Sequence, residues 1–123
     1  MKLLWIAIAG ALGTLARYWL GGKVQRLTGG SFPWGTMAVN LSGCFVFGIL
    51  WALAVERFNI GGELRIIVLL GFMGAFTTFS SFVFETMELL KDSEWLLAGL
   101  NMIGQNVLGL LGLYLGWTLG RMV

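Results

Sequence analysis

Residues 71–82 read Gly71-Phe72-Met73-Gly74-Ala75-Phe76-Thr77-Thr78-Phe79-Ser80-Ser81-Phe82. They lie inside an uncharged run, Ile66 to Phe84, that is 19 residues long. A bilayer span needs about 20 mostly apolar residues, so this run reads as a membrane helix. Its composition is unusual for one. Four hydroxyl side chains fall within five residues, interleaved with phenylalanines and preceded by two glycines. Gly, Ser and Thr form helices less readily than Ala or Leu. Their hydroxyls can also satisfy backbone groups that a break sets free. The stretch therefore predicts a helix interrupted near its middle, with an unbroken Ser/Thr-containing helix as the alternative. Irregular backbone at membrane depth is tolerated only where protein buries it or where it lines a wet cavity.

Three further charge-poor runs flank this one. Between Lys2 and Arg17 there are 14 uncharged residues, Leu27 to Val55 gives 29, and Trp95 to Gly120 gives 26. With 58% hydrophobic and 11% charged residues, the 123-residue chain is too apolar for a soluble domain of its size. The pattern predicts a single all-α membrane domain, 1–123, of four transmembrane helices with both termini on one side. Helix one is expected over Leu3 to Leu20, helix two over Gly35 to Val55, helix three over Leu64 to Leu90 and helix four over Trp95 to Leu119. Gly21-Gly22, Gly29-Gly30 and Pro33 read as turn formers in the first connection. Lys2 and the apolar run after it resemble a short secretory leader, but removing one would leave an odd number of spans.

Arg17 is the residue that bears most directly on function. It stands in helix one with no acidic residue beside it. A cation at that depth costs from ~3 to more than 10 kcal/mol, so it faces protein or a wet cavity and marks a function. An uncompensated cation points to an anion as the thing handled. The chain has no histidine, hence no usual metal ligand or neutral-pH proton shuttle, and its one cysteine, Cys44, cannot form an internal disulfide. No glycine-rich phosphate loop followed by lysine is present, and nothing points to an enzyme.

Phe79 and Phe82 are three residues apart and share a helix face, with Phe76 extending the row if the helix continues that far. Aromatic ring edges are weakly positive and can line an anion path without a fixed charge. Conduction requires weak sites of that kind. Asn40, Asn101, Gln105 and Asn106 offer amide donors, or else bond helix to helix. Asn101 and Gln105 share one face, and Asn106 lies roughly one hundred degrees away. Glu85 and Glu88, near the end of helix three, are expected at a solvated interface. Gly112, Gly116 and Gly120 lie on one face of helix four and read as close-packing positions.

The loop charges are nearly balanced. Lys2, Arg57, Arg65 and Arg121 lie on one side; Lys23, Arg26 and Lys91 on the other. Excess Lys and Arg normally fix cytoplasmic loops, and four against three is a weak instruction. One reading is a single dominant residue. The other is insertion both ways up, which permits an antiparallel homodimer of the inverted-repeat kind.

Three stretches together resemble the Fluc (CrcB) fluoride-channel family: Gly13 to Arg17 with Tyr18-Trp19, Pro33 to Leu41 with Asn40, and Gly74 to Phe82 with Glu85. The resemblance covers all four helices in order. It implies an antiparallel dual-topology homodimer in the cell inner (plasma) membrane that exports fluoride passively and gives fluoride resistance. It further implies a structural sodium ion at the dimer centre, held by the backbone carbonyls of Gly74 and Thr77 from both subunits. Phe79 and Phe82 match the phenylalanines lining the pores, Asn40 the pore-side amide, Ser81 a pore-lining hydroxyl, Asn106 a polar position of helix four, and Arg17 a basic vestibule residue. Two departures stand out: Gly74-Ala75 replaces a Gly-Gly pair, and Leu110 replaces a common serine. The rival readings are a small multidrug exporter, which needs an embedded carboxylate where this chain has Arg17, and a membrane assembly subunit without transport activity.

Overall fold

The computed structural model describes residues 1–123 and forms four membrane-length helical spans joined by short connections. Helix α1 is Lys2–Thr28. Helix α2 is Trp34–Trp51, prolonged by wider, π-type turns at Ala52–Arg57. The third span comes in two pieces. The first, α3, covers residues 62–76 and winds in wide turns over Ile66–Met73. The second, α4, is Phe79–Lys91. Helix α5 is Trp95–Met122. Every span is apolar and long enough to cross a bilayer, so this is a multi-pass membrane protein.

The first span runs farther than the sequence suggested. It continues through Gly21-Gly22 to Thr28, and Gly21 serves a helix contact and not a turn. A side chain on Gly35 of α2 would overlap the Gly21 carbonyl, and one on Gly21 would meet Val39 at 3.4 Å. The chain turns instead at Gly29 and Gly30, whose φ values of 66° and 74° suit glycine. Gln25 stitches this connection together. Its Nε2 donates to the Phe32 carbonyl at 3.0 Å, and its Oε1 accepts from the Gly35 N–H at 3.0 Å, one of the open donors at the start of α2.

The most extensive packing is α2 against α5, and glycine makes it close. A methyl on Gly116 would overlap the Phe45 carbonyl, and one on Gly48 would overlap the Leu113 carbonyl. At Gly120 the added atom would stand 2.8 Å from the Ala52 side chain. The glycine face of helix four is thus used within the chain. At the centre, Val39, Met73 and Phe76 form a small core that Ala16, Leu20, Phe47, Leu50 and Phe72 surround. Only 22 of 123 residues are buried, so most of the apolar surface awaits lipid or another chain.

Overpacking a tight contact typically costs about 1–3 kcal/mol. Gly116→Ala should therefore lower the thermal midpoint of the detergent-purified protein. Gly99→Ala, on the same helix with no atom within 4 Å of the added methyl, should leave it unchanged or raise it slightly. Equal midpoints for both variants would contradict the packing described.

Candidate functional site at the break in the third span

The third span breaks at two residues. Thr77 (φ −83°, ψ 158°) and Thr78 (φ −147°, ψ 116°) are extended, and helix resumes at Phe79. The Gly71 to Phe82 stretch is therefore interrupted at its two threonines, while Gly74 lies in the last turn of α3. β-branched residues suit an extended backbone. Gly43 of α2 leaves room for them, since a side chain there would overlap the Thr77 methyl. Some of the groups freed by the break are satisfied locally. The Thr77 hydroxyl donates to the Met73 carbonyl at 3.1 Å. Thr78 caps α4 by accepting from the Ser81 N–H at 3.3 Å, and its hydroxyl donates to the Ser81 hydroxyl at 2.9 Å.

The Thr78 peptide pairs with a side chain from another span. Asn40 Oδ1 accepts from the Thr78 N–H at 2.8 Å, and Asn40 Nδ2 donates to the Thr78 carbonyl at 3.0 Å. Asn40, itself half-buried, also begins a directed row of polar groups. Its Nδ2 donates to Gln105 Oε1 at 2.7 Å, and Gln105 Nε2 donates to Asn101 Oδ1 at 2.8 Å. Asn101 Nδ2 then donates to the Thr86 hydroxyl at 2.9 Å, which donates to the Phe82 carbonyl at 2.7 Å. The row runs from Asn40 on α2 through α5 and ends on the third span. Asn101 has no exposed surface, and Gln105, Thr86 and Thr78 are also buried. Bonds pointing one way along such a row polarise and strengthen one another.

Two cavities meet at Thr78. One, of about 340 Å³, is lined by Asn40, Cys44, Phe47, Thr77, Phe79, Phe82, Gln105 and Asn106. The Phe79 and Phe82 ring centres are 5.8 Å apart with planes tilted by 51°. Phe82 is buried, whereas Phe79 is 76% exposed. The other cavity, of about 490 Å³, is lined by Arg17, Gln25, Thr36, Ser81 and Glu85, among others. Arg17 Nη1 donates to the Thr77 carbonyl at 3.4 Å.

The sequence-selected residues are thus divided between two chambers. Asn40, Phe79, Phe82 and Asn106 share one, and Arg17 and Ser81 the other. Asn106 is exposed and its Nδ2 donates to its own helix, at the Met102 carbonyl, 2.6 Å away. Phe76 does not extend the Phe79–Phe82 row, because the break intervenes; it lies parallel to Phe72 in the core, ring centres 6.0 Å apart. Glu85 is half-buried in the lining of the larger cavity. Its Oε1 accepts from the Thr36 hydroxyl at 2.7 Å, and its Oε2 is buried without a hydrogen-bond partner. Glu88 does pair with Lys91 at the surface, at 2.8 Å. Gln105, Asn101 and Thr78 carry more of the site than their sequence reading assigned them, and Thr86 joins them without having been singled out. The i, i+4 spacing of Asn101 and Gln105 was the available signal.

Gly74 and Thr77 each present a carbonyl that the helix ladder has released. The N–H of Thr78, four residues after Gly74, is turned to Asn40, and that of Ser81, four after Thr77, is turned to the Thr78 hydroxyl. Two freed carbonyls three residues apart are hard oxygen donors, the kind an alkali or alkaline-earth cation takes.

Residues 4–117 match the family model described as CrcB-like protein, Camphor Resistance (CrcB). The chain belongs to the CrcB-like family. It is 62% identical over 122 residues to a protein of Nitrosococcus oceani named fluoride-specific ion channel FluC, covering 99% of this chain and 98% of that one. A protein of Desulforapulum autotrophicum with the same name is 51% identical, again over 99% and 98% of the two chains. One from Magnetococcus marinus, also so named, is 44% identical over the full length of both. These relatives are named as ion channels and not as enzymes, in keeping with the composition of this chain.

Proposed function

We propose that this chain is a fluoride-selective channel that exports fluoride passively. The observation that carries the reading is the chamber beside the break. It combines the Phe79 and Phe82 rings with the amides of Asn40, Gln105 and Asn106, and no carboxylate lines it. In a chain whose relatives are named fluoride-specific channels, weakly positive ring edges and amide groups suit a small, strongly hydrated anion. Arg17 lines the neighbouring chamber together with Glu85, Glu88 and Asp92, and is the one cation there that a passing anion would meet. Hydrogen fluoride is neutral and crosses lipid, then dissociates in the cytoplasm and traps fluoride. A passive pore in the inner membrane lets the ion leave, driven by about 2.3 kcal/mol per 100 mV.

The multidrug-exporter reading is disfavoured because α1 contains no acidic residue. A subunit without transport activity has no use for an amide-lined chamber at a broken span.

The working unit in this proposal is an antiparallel homodimer with fluoride, lipid and a second copy of the chain as its partners. The nearly even loop charge permits both orientations. A sodium ion at the centre would be held by the Gly74 and Thr77 carbonyls of both subunits and would offset the negative ends of those peptide dipoles. Arg17 already donates to the Thr77 oxygen, which has a second lone pair to offer.

Three outcomes are expected. In liposomes, the unmodified protein passes fluoride, and Phe79→Ile or Phe82→Ile lowers the flux about tenfold or more while the protein still elutes as a dimer. Wild-type rates in both variants would sink the ring-edge mechanism. Exchanging sodium exhaustively for a large organic cation on both sides slows or stops the flux, and indifference to sodium would remove the central ion. Two lysines added after Val123 drive the termini to the cytoplasm, and activity in cells falls because antiparallel pairs become scarce. A C-terminal tag on the otherwise unmodified protein that is accessible from one side only, with conduction intact, would rule out dual topology.

A further inference from the structure

Asn40 is held by more than the break requires. Its pairing with the N–H and the C=O of Thr78 already fixes it, yet Gln105 adds a third bond. Nδ2 carries two hydrogens. One goes to the Thr78 carbonyl at 3.0 Å and the other to Gln105 Oε1 at 2.7 Å. Neither is left over for an occupant of the chamber that Asn40, Gln105, Phe79 and Phe82 line together. Gln105 is held in this orientation, because its Nε2 is tied to Asn101 at 2.8 Å. Asn101, without exposed surface, is fixed in turn by Thr86 at 2.9 Å. The row therefore locks an acceptor against the donor that faces the anion path.

We propose that Gln105 is a specificity-determining residue: its side-chain oxygen competes with the permeating anion for the Asn40 N–H, so an anion passes the Phe79–Phe82 chamber by displacing it. The inference rests on the reading of the chain as a fluoride channel. Displacement sorts anions by hydrogen-bond strength. A bond to an ionised acceptor is about twice as strong as one between neutral groups. Fluoride concentrates its charge on a small sphere and takes the N–H from an amide oxygen at a gain. Chloride spreads the same charge over a larger sphere and gains little over the oxygen it must push aside. It also needs more room in a closely packed row. When the anion moves on, the Gln105 oxygen returns to the N–H. No unpaired donor then holds the ion back, and weak holding is what conduction requires.

The test is the fluoride-to-chloride flux ratio in liposomes. Gln105→Met keeps the length of the side chain and removes its oxygen, leaving a standing donor for any anion. The ratio should fall on the order of tenfold, the worth of one hydrogen bond, by a rise in chloride flux while fluoride flux persists. Asn101→Leu leaves the chamber lining unchanged and unties Gln105, and should move the ratio the same way by less. A purely structural role for the row would lower both fluxes together at constant ratio, and that result overturns the proposal. Should neither variant fold, the unmodified protein decides. With asparagine side chains labelled with nitrogen-15, fluoride should shift the Asn40 amide resonance, identified by its proximity to the Thr78 amide proton, and chloride should not. Equal shifts with both anions, or none with fluoride, overturn the proposal. An unmodified protein that passes no fluoride would instead refute the channel reading itself.

Discussion

The pairing of Asn40 with Thr78 is the constraint on which the rest of the site depends. A span that breaks inside a membrane exposes N–H and C=O groups that water cannot reach, and each costs several kcal/mol if left unmet. Asn40 answers both polar groups of one residue at once, with Oδ1 on the N–H and Nδ2 on the carbonyl. The Thr78 hydroxyl then caps the new helix. The chain can thus afford two extended residues at membrane depth. With that, α4 can leave the line of α3 and set the Phe82 ring against the same chamber that Asn40 lines.

The break also organises charge. Arg17 approaches the Thr77 carbonyl, one of the groups that the helix has released, and so meets a negative dipole end where an apolar helix would offer nothing. Glu85 lines the same chamber, but it is engaged by the Thr36 hydroxyl instead. A cation held by a neutral oxygen keeps its charge available to a passing anion. A cation held by a carboxylate would not, and this difference gives the separation of Arg17 from Glu85 a physical sense.

Much of this is legible in the amino-acid sequence. The four uncharged runs mark the four spans, and the cluster of Gly, Thr, Ser and Phe marks where the third gives way. The end of the first span was not legible, because Gly21-Gly22 has the same composition whether it turns the chain or admits a neighbouring helix. Only the presence of Gly35 across the contact decides it. The row through Gln105 and Asn101 was half legible. Their spacing puts them on one face, but which partner each amide faces depends on α2 and α4, which no local pattern specifies. The partner of Glu85 was not legible for a related reason. Closeness to the end of a helix suggests solvent, whereas the hydroxyl it meets comes from Thr36, 49 residues earlier.

One feature of the site points beyond the single chain. Gly74 and Phe79 flank the break and are both exposed, and Phe79 lies largely bare beside its buried partner Phe82. Lipid can cover a phenylalanine ring. It cannot satisfy the Gly74 carbonyl, whose helical donor has been turned to Asn40. Something polar must therefore meet that surface: water, an ion, or the same carbonyl from a second copy sharing an ion between them. In the antiparallel dimer proposed above, a second copy of the chain and an ion shared with it would meet this surface.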